Sequence, residues 1–230
     1  SVGASGDLAP LAHLFLPLIG LGEIDWKGER VSMDLAYMQL GMTPLKLQAK
    51  EGLALINGTQ FIAAHAAWAV YRMYHYLDVA DIIGAMSLEG VLGSASPFKK
   101  ELHDIRPFDG CKLVAHRMRT LLNGSEMLQS HANCGRVQDP YSIRCIPQVH
   151  GTSRNAWKHV KELVEIEMNS VTDNPIILSA EETISGGNFH GQPLAIPCDY
   201  LTVAAHELGN ISDRRIYLLL EGGNEGLPKL

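Results

Sequence analysis

Between Thr59 and Leu77 the only formally charged side chain is Arg72, and apolar residues recur at helical spacing through Phe61, Ile62, Ala66, Ala69, Val70 and Met73. A helix with so little polar surface is expected to be buried on most of its sides. It therefore needs neighbours around it, and the sequence supplies them. Helices are predicted near 80–92, 110–122, 154–169 and 191–220. The last runs on after Pro197 with Leu201, Leu208, Ile211, Arg215 and Leu218 or Leu219 along one stripe. Another is expected from Leu8 to Ile19, capped by Asp7, with Pro10 in its first turn and Pro17 bending or ending it. Pro44 onward begins a further helix that contains Lys50 to Ile56, and Asn57-Gly58 punctuates it. Residues 23–31 read as a small hairpin turning at Lys27-Gly28. The fold class is mainly α: a long-helix bundle with a small β-hairpin, part of a larger all-α fold and oligomeric.

Apolar residues make up 46% of the chain and charged residues 19%, enough for a core and against disorder. A net charge of −6 and a pI of about 5.9 argue against nucleic acid or an anionic membrane as partner. Apolar runs read as too short, or too broken by His and Pro, to cross a bilayer. Ser1 opens the chain with no basic segment before an apolar one, so no secretory signal is expected. Both ends read as cut from something longer. Cys111, Cys134, Cys145 and Cys198 lie far apart with no C-x-x-C, which fits reduced thiols in a cytoplasmic protein and not a zinc ribbon. Ten histidines include no H-E-x-x-H, and no metal is expected.

Between the helices lie Gly- and Asn-rich loops at 3–6, 57–59, 133–139, 172–175 and 185–189, the kind of segment that carries sites on a helical scaffold. Ala4-Ser5-Gly6 has a chemistry of its own. If a fold compresses this loop, the Gly6 nitrogen can attack the Ala4 carbonyl carbon and lose water to give a five-membered imidazolone. Loss of water from Ser5 then leaves an exocyclic methylidene, an electrophile that no ordinary side chain supplies. Gly6 lacks a Cβ and allows the close approach, Ser5 carries the leaving hydroxyl, and Ala4 suits the tight turn. Read alone, the tripeptide is a flexible loop before a helix.

Its neighbours say more. Ser1-Val2-Gly3-Ala4-Ser5-Gly6-Asp7-Leu8-Ala9-Pro10-Leu11-Ala12-His13 resembles the signature of the aromatic amino acid ammonia-lyases, with the histidine-specific branch nearest. Four more blocks resemble the family in order: Lys50 to Gln60, Val137 to Cys145 with Pro147-Gln148-Val149, Asp173-Asn174-Pro175, and Ser185 to His190. The resemblance covers nearly all of residues 1–230.

It implies that Ala4, Ser5 and Gly6 form 4-methylidene-imidazol-5-one. It implies that Asn57 holds the cofactor oxygen or the substrate carboxylate, and that Gln138, Tyr141 and Arg144 serve the site. Asp139 as N-cap and Pro140 as N1 of a short helix would bring 138, 141 and 144 or 145 near one face. Arg144 suits a bidentate grip on an α-carboxylate, Tyr141 can donate to the cofactor or amine, and Phe189 would pack against the cofactor. The implied reaction removes a β-proton and expels ammonia, giving a trans-unsaturated acid, urocanate from histidine. Tyrosine or phenylalanine lyases and aminomutases share much of the pattern. The resemblance also implies a homotetramer with active sites built from several subunits. The chain matches the central part of a family member, with the base-bearing tyrosine upstream of Ala4 and a further acidic residue downstream. A non-catalytic helical core kept for oligomerisation is the alternative from another class.

Overall fold

A computed structural model describes residues 8–133 and 135–222, together with Pro228. The chain divides into two compact units, each built from two separate stretches: 1–67 with 163–196, and 68–162 with 197–230.

In the first unit, α1 (Ala9–Phe15) buries Leu11 and gives way at Pro17 to a 3-10 turn over Leu16–Ile19, as the two prolines suggested. Its N-cap is Leu8, and the expected cap, Asp7, lies outside the described residues. Gly20 closes the turn at φ 83°, where a Cβ would sit 2.8 Å from Pro44 Cγ. Strands β1 (Glu23–Trp26) and β2 (Glu29–Ser32) pair antiparallel, Trp26 opposite Glu29. Lys27 and Gly28 both take positive φ, the geometry of a two-residue hairpin turn. Helix α2 (Met33–Leu40), which no sequence signal announced, buries Met33, Ala36 and Tyr37 against Ile24 and Val31. The Tyr37 hydroxyl reaches the carbonyls of Pro17 and Leu18, each at 3.0 Å.

The helix expected from Pro44 begins only at α3 (Glu51–Ile56), because Lys50 adopts φ 72° just before it. The unit also holds the start of α4 (Gln60–Gly90) and, later in the chain, the short pair β3 (Ile176–Ile177) and β4 (Thr183–Ile184).

The second unit contains most of α4, then α5 (Lys100–Asp104), α6 (Asp109–Leu121), α7 (Glu126–Ser130) and α8 (Tyr141–Arg144). It also contains most of α9 (Ile146–Met168) and α10 (Gln192–Leu220). The helices expected at 59–77 and 80–92 are one continuous α4, and α9 starts earlier than the expected 154. The core gathers Leu88, Phe98, Val114, Met118, Ile143 and Ile146, with Ile211 from α10. In the predicted α10 stripe Leu201, Leu208, Ile211 and Arg215 are all buried, while Leu218 is only partly buried and Leu219 is exposed. Helices α6 and α9 touch backbone to backbone, since a Cβ on Gly151 would lie 2.5 Å from the Cys111 nitrogen.

Helix α4 differs from the expectation of burial on most sides. Its buried residues follow one stripe through Ala66, Val70, Met73, Leu77 and Ala80, while Trp68, Tyr71, Val79 and Met86 are exposed. By length and composition the stretch Glu51–Gly90 is also apolar enough to cross a membrane, with mean hydropathy 1.2 in its best window, which corrects the expectation that no run is. A core helix passes the same test.

Candidate functional site

The strip from Gln138 to Arg144 is built on one buried anchor. Ile143 is fully buried in the core of the second unit, which leaves its helical neighbours Tyr141 and Arg144 to face away. The helix is only four residues long, and Pro140, at ψ 153°, is its N-cap in place of the expected Asp139. Asp139 does other work. Its buried carboxylate accepts the Ser94 amide at 2.6 Å and faces Arg136 Nη1 at 3.4 Å. The Pro140 carbonyl accepts from the amides of Ile143 and Arg144, each at 3.0 Å.

Gln138, Tyr141 and Arg144 line one cavity of about 360 Å3 with Arg136, Asp139 and Leu218. The Arg144 guanidinium carbon lies 4.5 Å from the centre of the Tyr141 ring, a cation–π contact. Tyr141 itself is 73% exposed. Gln138 and Arg144 also border a larger cavity of about 850 Å3 that includes Arg119, His131 and Gln148. Among the described residues Arg144 Nε and Gln148 Oε1 are buried without hydrogen-bond partners, a donor and an acceptor with capacity to spare.

Three of the family-like blocks meet in the first unit. Asn57 Nδ2 points to the Asn174 carbonyl at 3.4 Å. The Thr59 hydroxyl, fully buried, bonds the Glu167 carboxylate, and its amide lies 3.4 Å from Thr172 Oγ1. Gly58 sits so close that a Cβ would lie 2.6 Å from the Thr172 carbonyl. Asn174 Oδ1 in turn accepts from the Gly186 amide at 2.7 Å, and Asn188 Nδ2 donates to Val171 O at 3.1 Å. Lys50 and Asp173, both largely buried, form an ion pair beneath these loops. Phe189 is half-buried in the same unit. The Asn-Gly-Thr turn thus holds the 172–174 loop, and residues 171 and 174 in turn hold the 185–188 loop.

A buried charge network in the second unit had no counterpart in the sequence reading. Asp81 is wholly buried and accepts from His150 Nδ1 at 2.9 Å, Arg117 Nε at 2.7 Å and Arg154 Nη2 at 2.6 Å. Asp78 adds contacts to Arg154 at 2.9 Å and Arg117 at 3.1 Å. Burial alone would push the Asp81 carboxyl up, but the His150 hydrogen bond and the Arg154 charge outweigh it and hold it below the usual range. Burial pushes the His150 imidazole down against the pull of Asp81, and its Nε2 has no partner. The signal that could have marked the network is the spacing of Asp78 and Asp81, one turn apart on an otherwise apolar helix. Among the described residues no group of three His, Cys, Asp or Glu is placed to hold a metal.

Of the residues singled out in the sequence, Gln138, Tyr141 and Arg144 come together, and Asn57 and Phe189 lie in the other unit. Ala4, Ser5, Gly6 and Cys134 lie outside the described residues.

The profile of the aromatic amino acid lyases matches residues 1–230. Histidine ammonia-lyase of Myxococcus xanthus is 48% identical over 229 residues, covering 99% of this chain and 45% of that protein. Among solved structures, tyrosine aminomutase of Streptomyces globisporus superposes with a TM-score of 0.89 at 38% identity, covering 100% of this chain and 47% of that one. Histidine ammonia-lyase of Trypanosoma cruzi gives a TM-score of 0.85 at 41% identity, covering 97% of this chain and 42% of that one. The chain therefore spans less than half the length of the relatives it matches.

Proposed function

Because the chain belongs to the aromatic amino acid lyase family, we propose that the whole protein eliminates ammonia from L-histidine to give trans-urocanate. The observation that carries this is the 48% identity with a histidine ammonia-lyase along 99% of the chain. The proposed electrophile is 4-methylidene-imidazol-5-one formed from Ala4, Ser5 and Gly6, which draws electrons from the substrate amine or ring. Asn57, Gln138 and Tyr141 are neutral hydrogen-bonding groups of the kind an imidazolone oxygen accepts from.

Each residue of this chain has a definite task in that scheme. Arg144, in cation–π contact with Tyr141, offers its guanidinium to the α-carboxylate. Two parallel hydrogen bonds would fix the substrate backbone and so orient its β-carbon. Gln138 and Tyr141, on the same cavity, hydrogen-bond the amine or the cofactor. Asn57 holds the cofactor oxygen or the carboxylate, and Phe189 packs against the cofactor ring. The β-proton goes to a base outside residues 1–230.

A homotetramer is proposed with it. The exposed apolar residues of α4, among them Trp68, Tyr71, Ile82 and Ile83, are the surface such an assembly would cover. The three described cysteines, Cys111, Cys145 and Cys198, are free thiols, which suits the cytoplasm.

The test is the intact mass of the full-length protein with and without Ser5→Ala. Formation of the electrophile removes two waters, a deficit of about 36 Da. The wild type is expected to show that deficit and to release ammonia from L-histidine. Ser5→Ala is expected to abolish turnover without unfolding. Wild-type turnover in Ser5→Ala would end the proposal. The likeness to tyrosine aminomutase keeps a second outcome in view: a β-amino acid, or a coumarate or cinnamate product, from tyrosine or phenylalanine. A wild-type mass with no deficit would favour a non-catalytic helical core.

A further inference from the structure

Arg215 lies on α10 with 2% of its surface exposed. Among the described residues its guanidinium bonds only neutral oxygens: Nη1 donates to the Ser142 carbonyl at 3.3 Å and Nη2 to Ser212 Oγ at 2.9 Å. Its Nε is buried without a partner. Burial lowers its pKa to about 10, so it stays charged at neutral pH. A buried cation without a carboxylate is costly, and an apolar side chain of similar size would fill the same space without that cost. The return on the charge must lie in what it holds.

What it holds is the middle of the strip described above. Ser142 stands between Tyr141 and Ile143, in a helix of four residues whose carbonyls have no partner within the helix. A cationic donor there satisfies one of those carbonyls. Near the start of the strip the buried Asp139 carboxylate takes the Ser94 amide at 2.6 Å. Two buried charges of opposite sign, reaching to different elements, therefore fix a segment too short to hold itself.

We infer that Arg215 is a positioning residue: through the Ser142 carbonyl it sets the Tyr141–Arg144 turn, and so the aim of the Arg144 guanidinium at the substrate carboxylate. This rests on the carboxylate role proposed for Arg144. Arg215 does not touch substrate; it acts through the turn.

The experiment compares Arg215→Met, Arg215→Lys, Arg144→Met and the double variant Arg215→Met/Arg144→Met in the full-length protein. Three quantities are read: KM and kcat for L-histidine, the two-water mass deficit, and hydrogen exchange across 138–146. Arg215→Met is expected to raise KM about tenfold or more with the mass deficit retained. It is also expected to speed exchange across 138–146 and leave α6 protected. Arg215→Lys, which keeps a charged donor, should recover most of the loss. In the Arg144→Met background, Arg215→Met should change KM less than about twofold, because the two act on one interaction.

A KM within about twofold of wild type in Arg215→Met would overturn the inference. So would effects of Arg215→Met and Arg144→Met that simply multiply, or exchange that rises throughout the molecule. If wild-type protein leaves L-histidine unchanged, or if Arg144→Met leaves KM unchanged, the proposed carboxylate role falls. Exchange then decides the anchor by itself: a local rise across 138–146 keeps it, and an unchanged or global pattern overturns it.

Discussion

Replacing Asp81 by alanine should destabilise the protein far more than replacing Asp78, three residues away on the same helix. Asp81 has no exposed surface, and its two oxygens take three hydrogen bonds, from His150, Arg117 and Arg154. Alanine would leave the Arg154 side chain, 7% exposed, with the Leu77 carbonyl and Asp78 as remaining partners. It would also strip the buried His150 Nδ1 of its acceptor. Removing one member of such a buried pair costs about 3–5 kcal/mol, and the surviving Asp78 contact places this case near the lower end. The Asp78 side chain is 31% exposed, and without it both arginines keep Asp81, so its loss should cost about 1 kcal/mol or less.

The assay is urea unfolding of the full-length protein at fixed protomer concentration, because assembly would shift the midpoint by mass action. With a slope of about 2–3 kcal/mol per molar urea, Asp81→Ala should lower the midpoint by about 1 M or more. Asp78→Ala should lower it by less than about 0.5 M. Equal shifts would refute the reasoning, since they would mean that burial does not decide the worth of these two carboxylates.

Three more outcomes are expected. The unfolded chain protonates His150 near the ordinary imidazole value of 6.5, while burial makes the folded imidazole take the proton only at lower pH. Stability is therefore intact above that value and falls as pH drops below it, by up to about 1.4 kcal/mol per pH unit. His150→Gln should flatten this fall between pH 7 and 5.5, and an unchanged slope in urea titrations would count against it. Gly151→Ala forces a Cβ to within 2.5 Å of backbone in α6, so a loss of about 3 kcal/mol or more is expected, read as a lower unfolding midpoint. Arg144→Lys loses the planar fork that contacts the Tyr141 ring and should raise KM for L-histidine by about tenfold or more, while the two-water mass deficit stays.

The long helices were legible because their pattern repeats over many turns. The α10 stripe, including the charged Arg215, could be read from period alone, and it is buried from Leu201 to Arg215. Asp78 falls in the gap between the helices expected at 59–77 and 80–92, and Asp81 just beyond it, yet α4 runs through both. They are its internal ion-pair partners, and a pattern cannot show that a charge has a mate on another helix. Helix α2 was missed because it is short and buries only three residues, against a hairpin that also had to be inferred. In the candidate site, 138, 141 and 144 were expected near one face of a short helix; they line one cavity, but the helix holds only Tyr141 and Arg144 of the three. The role of Asp139 was misjudged, since an aspartate before proline suits a helix cap equally well, and only the approach of the Ser94 amide decides between the two.

The pairing of Lys50 with Asp173 has a consequence in time. The two residues are 123 positions apart. At about 5–20 residues per second of synthesis, roughly 6–25 s pass on the ribosome between them. Throughout that interval the Asn57-Gly58-Thr59 turn has been made, and the loop that receives its Thr59 amide has not. The second unit's first stretch, 68–162, is translated entirely within the wait. The first unit's opening stretch, 1–67, must therefore wait for 163–196 before that unit can close. A nascent chain stalled before residue 173 would carry a lysine awaiting burial and an incomplete first unit, the state in which a chaperone would find it.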